Sequence, residues 1–260
     1  MKKRIIGMLL LVLICIPLVI LGDKYFFGYS ILVGLISVLG LWELNSLYKR
    51  EKKLHIVLEI LSYLCLLMIL FSFDYILYAI GLTILIFLSA SMMCGKEFTF
   101  KDSVQIIATT IFLGVAFYII KDLRLESIHN LVYVLLITVL TDTFAYIGGS
   151  LFGTHKLIER VSPNKTIEGS IIGTIFGTVG PIIYYLFMID PGCNIMVVVF
   201  VTLTLSIVGQ IGDLVFSSIK REFNIKDYSN LIIGHGGVLD RFDSLIFVSI
   251  MYFIIKAIIL

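Results

Sequence analysis

Charge is the scarcest ingredient of this sequence: Asp, Glu, Lys and Arg make up 15% of its 260 residues, against 59% apolar types. With a mean hydropathy of +1.07 there is too little polar surface to coat a soluble globule of this length, so the chain belongs in a bilayer. Neither sign dominates. The formal net charge of +2 gives no reason to expect nucleic-acid binding and makes lipid the first partner to consider. Cysteine is sparse too: Cys15, Cys65, Cys94 and Cys193 stand singly in apolar stretches, with no CxxC and no Cys/His cluster. A disulfide framework and a zinc site are therefore excluded, leaving four small hydrophobes in helices. Only 4 prolines and 21 glycines, set among long apolar runs, argue against disorder and low complexity.

Long apolar runs are what the sequence has in abundance. A helix needs about 20 apolar residues to cross a hydrocarbon core, and such runs lie near 5–22, 27–47, 56–73, 75–94, 103–121, 128–150, 169–189, 194–217 and 243–260. They are continuously apolar rather than alternating, which excludes the strands of a β-barrel. The first follows Met1-Lys2-Lys3-Arg4 without an A-x-A cleavage site and reads as a retained span, not a signal peptide. The expected fold is an all-α, polytopic transmembrane helix bundle of about nine spans. With the N-terminus cytoplasmic, sixteen of the twenty Lys and Arg residues fall inside, and only Lys24, Lys121, Arg124 and Lys256 fall outside. The two longest hydrophilic loops, 151–168 and 218–242, are then cytoplasmic. The expected division is 1–127 for N-terminal transmembrane helices and 128–260 for a C-terminal catalytic region carrying both loops.

The charged minority is where chemistry is to be sought. Asp142 lies inside the sixth run, where a lipid-exposed carboxylate would cost at least roughly 2.5–3.5 kcal/mol. Two roles fit it, a buried polar contact between helices or a group closing a site from within the bilayer. Gly169, Gly173, Gly177 and Gly180 form a smooth stripe suited to close helix packing. Asp213, Ser217 and Lys220 share one helical face, with Arg221 beside them. Lys226-Asp227, Gly234-His235-Gly236-Gly237 and Asp240-Arg241-Phe242-Asp243 follow. Successive glycines let backbone N–H groups converge on an anion, and the carboxylates are the hard donors Mg²⁺ prefers. In the earlier loop Ser162, Lys165 and Thr166 precede a helix start marked by Glu168, a plausible anion cradle, although an ordinary N-cap also explains the Thr and the Glu.

Together the spacing S-x-x-K-R-x4-K-D from Ser217 to Asp227 and H-G-G-x-x-D-R-x-D from His235 to Asp243 resembles the signature of the phosphatidate cytidylyltransferases, also called CDP-diacylglycerol synthases. The resemblance extends to Asp142, Ala145-Tyr146, Phe152-Gly153, Ser162-Pro163, Lys165-Thr166, Glu168-Gly169 and Gly212-Asp213-Leu214. It covers the C-terminal half in detail and the N-terminal half as a hydrophobic profile. Ile233, Phe216 and Gly149 depart from it, standing where a proline, an acid and a base are common.

The resemblance implies that CTP and phosphatidate yield CDP-diacylglycerol and diphosphate in phospholipid biosynthesis. It implies a catalytic set of Asp213, Lys220, Arg221, Lys226, Asp227, His235, Asp240 and Arg241. Asp142, Ser162, Lys165, Thr166, Glu168, Ser217, Gly236 and Gly237 would contact substrate. Asp213, Asp227, Asp240 and Asp243 would include the ligands of one or two cations, Mg²⁺ among them. The site would face the cytoplasm from a bacterial inner or plasma membrane, and a homodimer follows from the resemblance and the glycine stripe. A CTP-dependent lipid or polyprenol kinase is the neighbouring alternative. A secondary transporter is the alternative of another class, disfavoured because the polar residues crowd the cytoplasmic rim and no inverted repeat is visible. The CDP-alcohol phosphotransferase pattern is absent, since the chain contains no Asp-Gly dipeptide.

Overall fold

The computed structural model describes residues 26–95, 97–231 and 236–259, so the expected span 5–22 lies outside the described residues. The other eight runs form helices. In chain order these are α1 (Phe26–Glu51), α2 (Ile56–Leu70), α3 (Ile76–Cys94), α4 (Phe100–Glu126), α5 (Ile128–Phe152), α6 (Ile167–Met188), α7 (Ile195–Glu222) and α8 (Leu239–Ile258). Among the described residues, six are long and apolar enough to cross a membrane: α1, α3, α4, α5, α6 and α7. At 15 residues α2 is short for a span, and α8 carries Asp240, Arg241, Asp243 and Lys256 within its 20 residues. The chain is thus an all-helical membrane protein with one small exception. The loop between α5 and α6 folds an antiparallel hairpin of β1 (Lys156–Ile158) and β2 (Ser162–Thr166), with Lys156 opposite Thr166 and Ile158 opposite Ser162. Periodicity could not show strands of three and five residues.

Two compact units divide the chain, Met1–Lys121 with Tyr228–Val238 in one and Asp122–Asp227 with Leu239–Leu260 in the other. Within the first, Tyr48, Leu54, Leu58, Cys65, Phe87, Phe98 and Ile106 form a core cluster. Lys49 pairs with Glu59 and Lys52 with Asp102, each at 2.5 Å, so charges at the helix ends neutralise one another. Cys65 is buried there as a free thiol, as its apolar surroundings predict.

The second unit is built around α5 to α8. Helix starts are set by local caps: Ser127 accepts from His129 N–H, Thr166 from Gly169 N–H and Asn194 from Met196 N–H. Tyr133 meets Tyr185 and Tyr252 edge-on, with ring centroids 5.1 and 5.4 Å apart. The buried Tyr133 hydroxyl is matched by Thr202 at 2.7 Å. One face of α6, Ile171, Ile175, Val179 and Ile183, is exposed and apolar, as a lipid-facing stripe must be.

The glycine stripe faces α5. A Cβ at Gly169 would lie 2.6 Å from the Ala145 carbonyl oxygen, and one at Gly173 would lie 2.6 Å from that of Thr141. Only hydrogen fits between these backbones, and the stripe serves packing within the chain. Gly173→Leu is expected to destabilise the protein by about 1–3 kcal/mol or more through overpacking, seen as a lower midpoint of thermal unfolding in detergent. An unchanged midpoint would contradict the contact.

Candidate active site

The C-terminal half of α7 presents its polar residues on one face, as the spacing predicts. Ser217 Oγ donates to Asp213 Oδ1 at 3.2 Å, and Lys165, from β2, pairs with Asp213 Oδ2. One turn on, Lys220 Nζ meets Asp240 Oδ1 at 2.6 Å, and both side chains are almost buried, 11% and 5% exposed. The helix ends where Asn224 adopts the left-handed region at φ 53° and Ile225 N–H returns to the Lys220 carbonyl, the hydrogen bond of a Schellman turn. Tertiary packing and a local cap together therefore fix Lys220.

Three carboxylates from three helices share one electrostatic neighbourhood. Asp142 on α5 lies within the field of Asp213 and Lys165, and Asp243 on α8 within that of Asp213, Lys220 and Asp142. Asp243 Oδ1 also accepts from Ser244 N–H at 2.7 Å. Asp142 has no described hydrogen bond or ion pair and is exposed along α5. In chemistry this donor set suits a hard dication: all its ligands are oxygens, and their mutual repulsion is what a divalent ion relieves. Among the described residues, no group of three His, Cys, Asp or Glu side chains lies close enough to hold one as placed. Lysine ammonium groups occupy Asp213 and Asp240 instead.

The residues before α6 are mostly engaged in building the loop. Thr166 caps the helix, and Cβ atoms at Gly149 and Gly153 would crowd its side chain to 3.0 and 2.7 Å. Glu168 accepts from Thr154 Oγ1 at 2.6 Å and from His155 N–H at 3.2 Å, and it meets His155 Nδ1 at 2.6 Å. Ser162 opens β2, and Lys156 Nζ donates to the Pro163 carbonyl at 2.6 Å. Arg221 ties the hairpin to α7 by donating from Nε to the Val161 carbonyl at 3.1 Å. A cavity of about 610 Å³ opens beside it, lined by Arg160, Val161, Ser218, Arg221 and Glu222. Its two guanidinium groups make it suited to an anion.

Other expected site residues are not gathered into this cluster. Lys226 and Asp227 are exposed in the turn after α7, and Arg241 is exposed in the first turn of α8. Asp240 faces Lys220 rather than the other carboxylates. His235 lies outside the described residues. Gly236 and Gly237 belong to the first unit, where Gly237 packs on Glu43, a residue the sequence reading passed over. Its signal was present: Glu43 is a lone carboxylate within the second expected span, near its C-terminal end.

Comparison with known proteins places the chain among relatives. A family model described as "Cytidylyltransferase family" matches residues 2–259. A protein of Staphylococcus haemolyticus named phosphatidate cytidylyltransferase is 37% identical over 255 residues, covering 95% of this chain and 96% of its own. Its namesake from Staphylococcus epidermidis is 34% identical over the same shares. That of Staphylococcus aureus strain COL is 42% identical over 163 residues, 63% of this chain and 62% of its own.

Proposed function

The chain belongs to the cytidylyltransferase family, and from that premise we propose that it converts CTP and phosphatidate to CDP-diacylglycerol and diphosphate. Relatives of that name, alike across nearly the whole chain, are the observation that carries the reading. The geometry of the second unit supports it. Three carboxylates and two lysines share one electrostatic neighbourhood where the cytoplasmic ends of the spans are expected, at the level where a lipid headgroup and a soluble nucleotide can meet.

In this reaction a phosphate oxygen of phosphatidate attacks the α-phosphorus of CTP, a new P–O bond forms, and the bond to the β-phosphate breaks to release diphosphate. The attacking oxygen is already ionised near neutral pH, so no strong base is required. Catalysis rests on positioning and charge neutralisation. Asp142, Asp213 and Asp243 would hold Mg²⁺, which when bound supplies neutralisation of phosphate oxygens. Lys165 and Lys220 hold their carboxylates in place and lend positive charge to the anionic substrates. Ser217 orients Asp213. Arg221, with Arg160, lines the anion-suited cavity beside them. Asp227, Lys226, Asp240, Arg241, His235, Gly236, Gly237, Ser162, Thr166 and Glu168 keep the roles implied by the resemblance, with Thr166 and Glu168 acting through the shape of the loop.

Nine spans with the N-terminus inside would place this site on the cytoplasmic face of a bacterial plasma membrane. Homodimerisation would use a face other than the glycine stripe, which α5 fills. The test is purified protein in detergent micelles with CTP and phosphatidate, with CDP-diacylglycerol read by mass spectrometry and diphosphate released in equal amount. EDTA is expected to abolish turnover and added Mg²⁺ to restore it. Turnover in excess EDTA would contradict the cation assignment.

A further inference from the structure

The first unit contains a cavity of about 550 Å³, lined by the turn between α1 and α2 and by the turn between α3 and α4. Its size falls within the about 300–1,000 Å³ of small-molecule sites. The apolar part of the lining, Leu54, Leu58 and Phe98, is buried. The polar part, Lys53 and His55 from the first turn and Glu97 from the second, is exposed. The cavity is therefore apolar at depth and charged at its mouth.

Both signs of charge stand at that mouth. Lys52, which also lines the cavity, is neutralised by Asp102 at 2.5 Å, and the same carboxylate accepts from Thr99 Oγ1 at 2.7 Å. Lys53 and Glu97 differ from it: among the described residues neither forms an ion pair, with the other or with a third group. His55 adds a directed donor. Its Nδ1 accepts from Val57 N–H at 3.3 Å and so caps α2, which leaves the proton of the neutral ring on Nε2. Lys53 and the Nε2–H suit an anion, and Glu97 suits a cation that can donate hydrogen bonds. A ligand that uses all three carries a phosphate beside a primary ammonium.

A soluble zwitterion would leave the apolar lining unused. Ile56, Val57 and Ile60 follow directly on His55 and are exposed, so an acyl chain can pass from the cavity along the apolar flank of α2. Lys49, Arg50, Lys52 and Lys53 crowd the same end of α1, as cations do at a headgroup surface. We propose that this cavity binds one phospholipid with an ethanolamine-type headgroup. Its phosphate lies on Lys53 and His55, its ammonium on Glu97, and the upper part of an acyl chain on Leu54, Leu58 and Phe98. A choline headgroup has no N–H to give Glu97, and a glycerol headgroup has no positive charge, so the site discriminates against both.

Cys94 lines the same cavity as an exposed free thiol, whereas Cys193 lies in the second unit and serves as a reference. Purified full-length protein in detergent micelles is alkylated with N-ethylmaleimide, and peptide mass spectrometry gives the rate at Cys94 relative to Cys193. Phosphatidylethanolamine should slow Cys94 by about tenfold when present at about ten times its Kd. Phosphatidylcholine or phosphatidylglycerol at the same mole fraction, or free phosphoethanolamine at the same concentration, should slow it by less than about twofold. Lys53→Gln and Glu97→Gln, both at exposed positions that tolerate the change, should each raise the half-protecting lipid concentration by about tenfold, the scale of one charge-assisted hydrogen bond. Absence of protection by phosphatidylethanolamine would overturn the proposal. Equal protection by another lipid or by free phosphoethanolamine, or parental protection in either variant, would overturn it as well. The readout needs no turnover, so it stands or falls separately from the reaction proposed above.

Discussion

Asp213→Asn is expected to lower kcat by about 10²–10³-fold, the scale of losing one preorganised electrostatic partner of the transition state, with the fold preserved. Asparagine has the same shape and still offers an oxygen to Ser217, but it cannot neutralise Lys165 and lacks the charge that the proposed cation site with Asp142 and Asp243 requires. The Lys165–Asp213 pair is partly exposed, 31% and 24%, so its loss should cost only about 0–1 kcal/mol of stability. Steady-state turnover measured beside the thermal unfolding midpoint separates the two effects. A variant with the parental midpoint and turnover within threefold of the parent would remove Asp213 from the chemistry.

Asp240→Ala should have the largest effect on stability. Lys220 and Asp240 are nearly buried and 2.6 Å apart, and deleting one partner removes the nearest opposite charge from the other where little water can replace it. Removing one member of such a pair costs about 3–5 kcal/mol, whereas replacing both with apolar residues is often neutral. Lys220→Met combined with Asp240→Leu should therefore recover most of the unfolding midpoint lost by Asp240→Ala and remain inactive. Asp240 in the first turn of α8 also favours the positive end of that helix, a smaller term of about 0.3–1 kcal/mol. An active double variant would show the pair to be architectural only.

The helices were legible because hydrophobic run length is set by bilayer thickness, a constraint that leaves a plain trace in sequence. The α7 face was legible for a similar reason: residues three and four apart on a helix are neighbours, and Asp213, Ser217 and Lys220 do line up. The glycine stripe was read as packing and packs, though against α5 of the same chain rather than a second copy. The hairpin of β1 and β2 escaped because strands of three and five residues are too short to carry a periodicity. Which carboxylates would converge was not readable either, since Asp142 and Asp243 are a hundred residues apart and only helix packing makes them neighbours. The contacts of Glu43 escaped for the same reason. Its donors lie 186 and 195 residues away, a distance that no local pattern spans.

The most direct measurement uses CTP labelled at either the α- or the γ-phosphorus, incubated with phosphatidate, Mg²⁺ and the purified protein before chloroform extraction. Cytidylyl transfer carries the α label into the lipid phase and leaves the γ label in water as diphosphate. The γ label in lipid, with the α label left in water, would mean kinase chemistry and contradict the assignment. No phosphatidate-dependent label of either kind in the lipid phase would contradict it too.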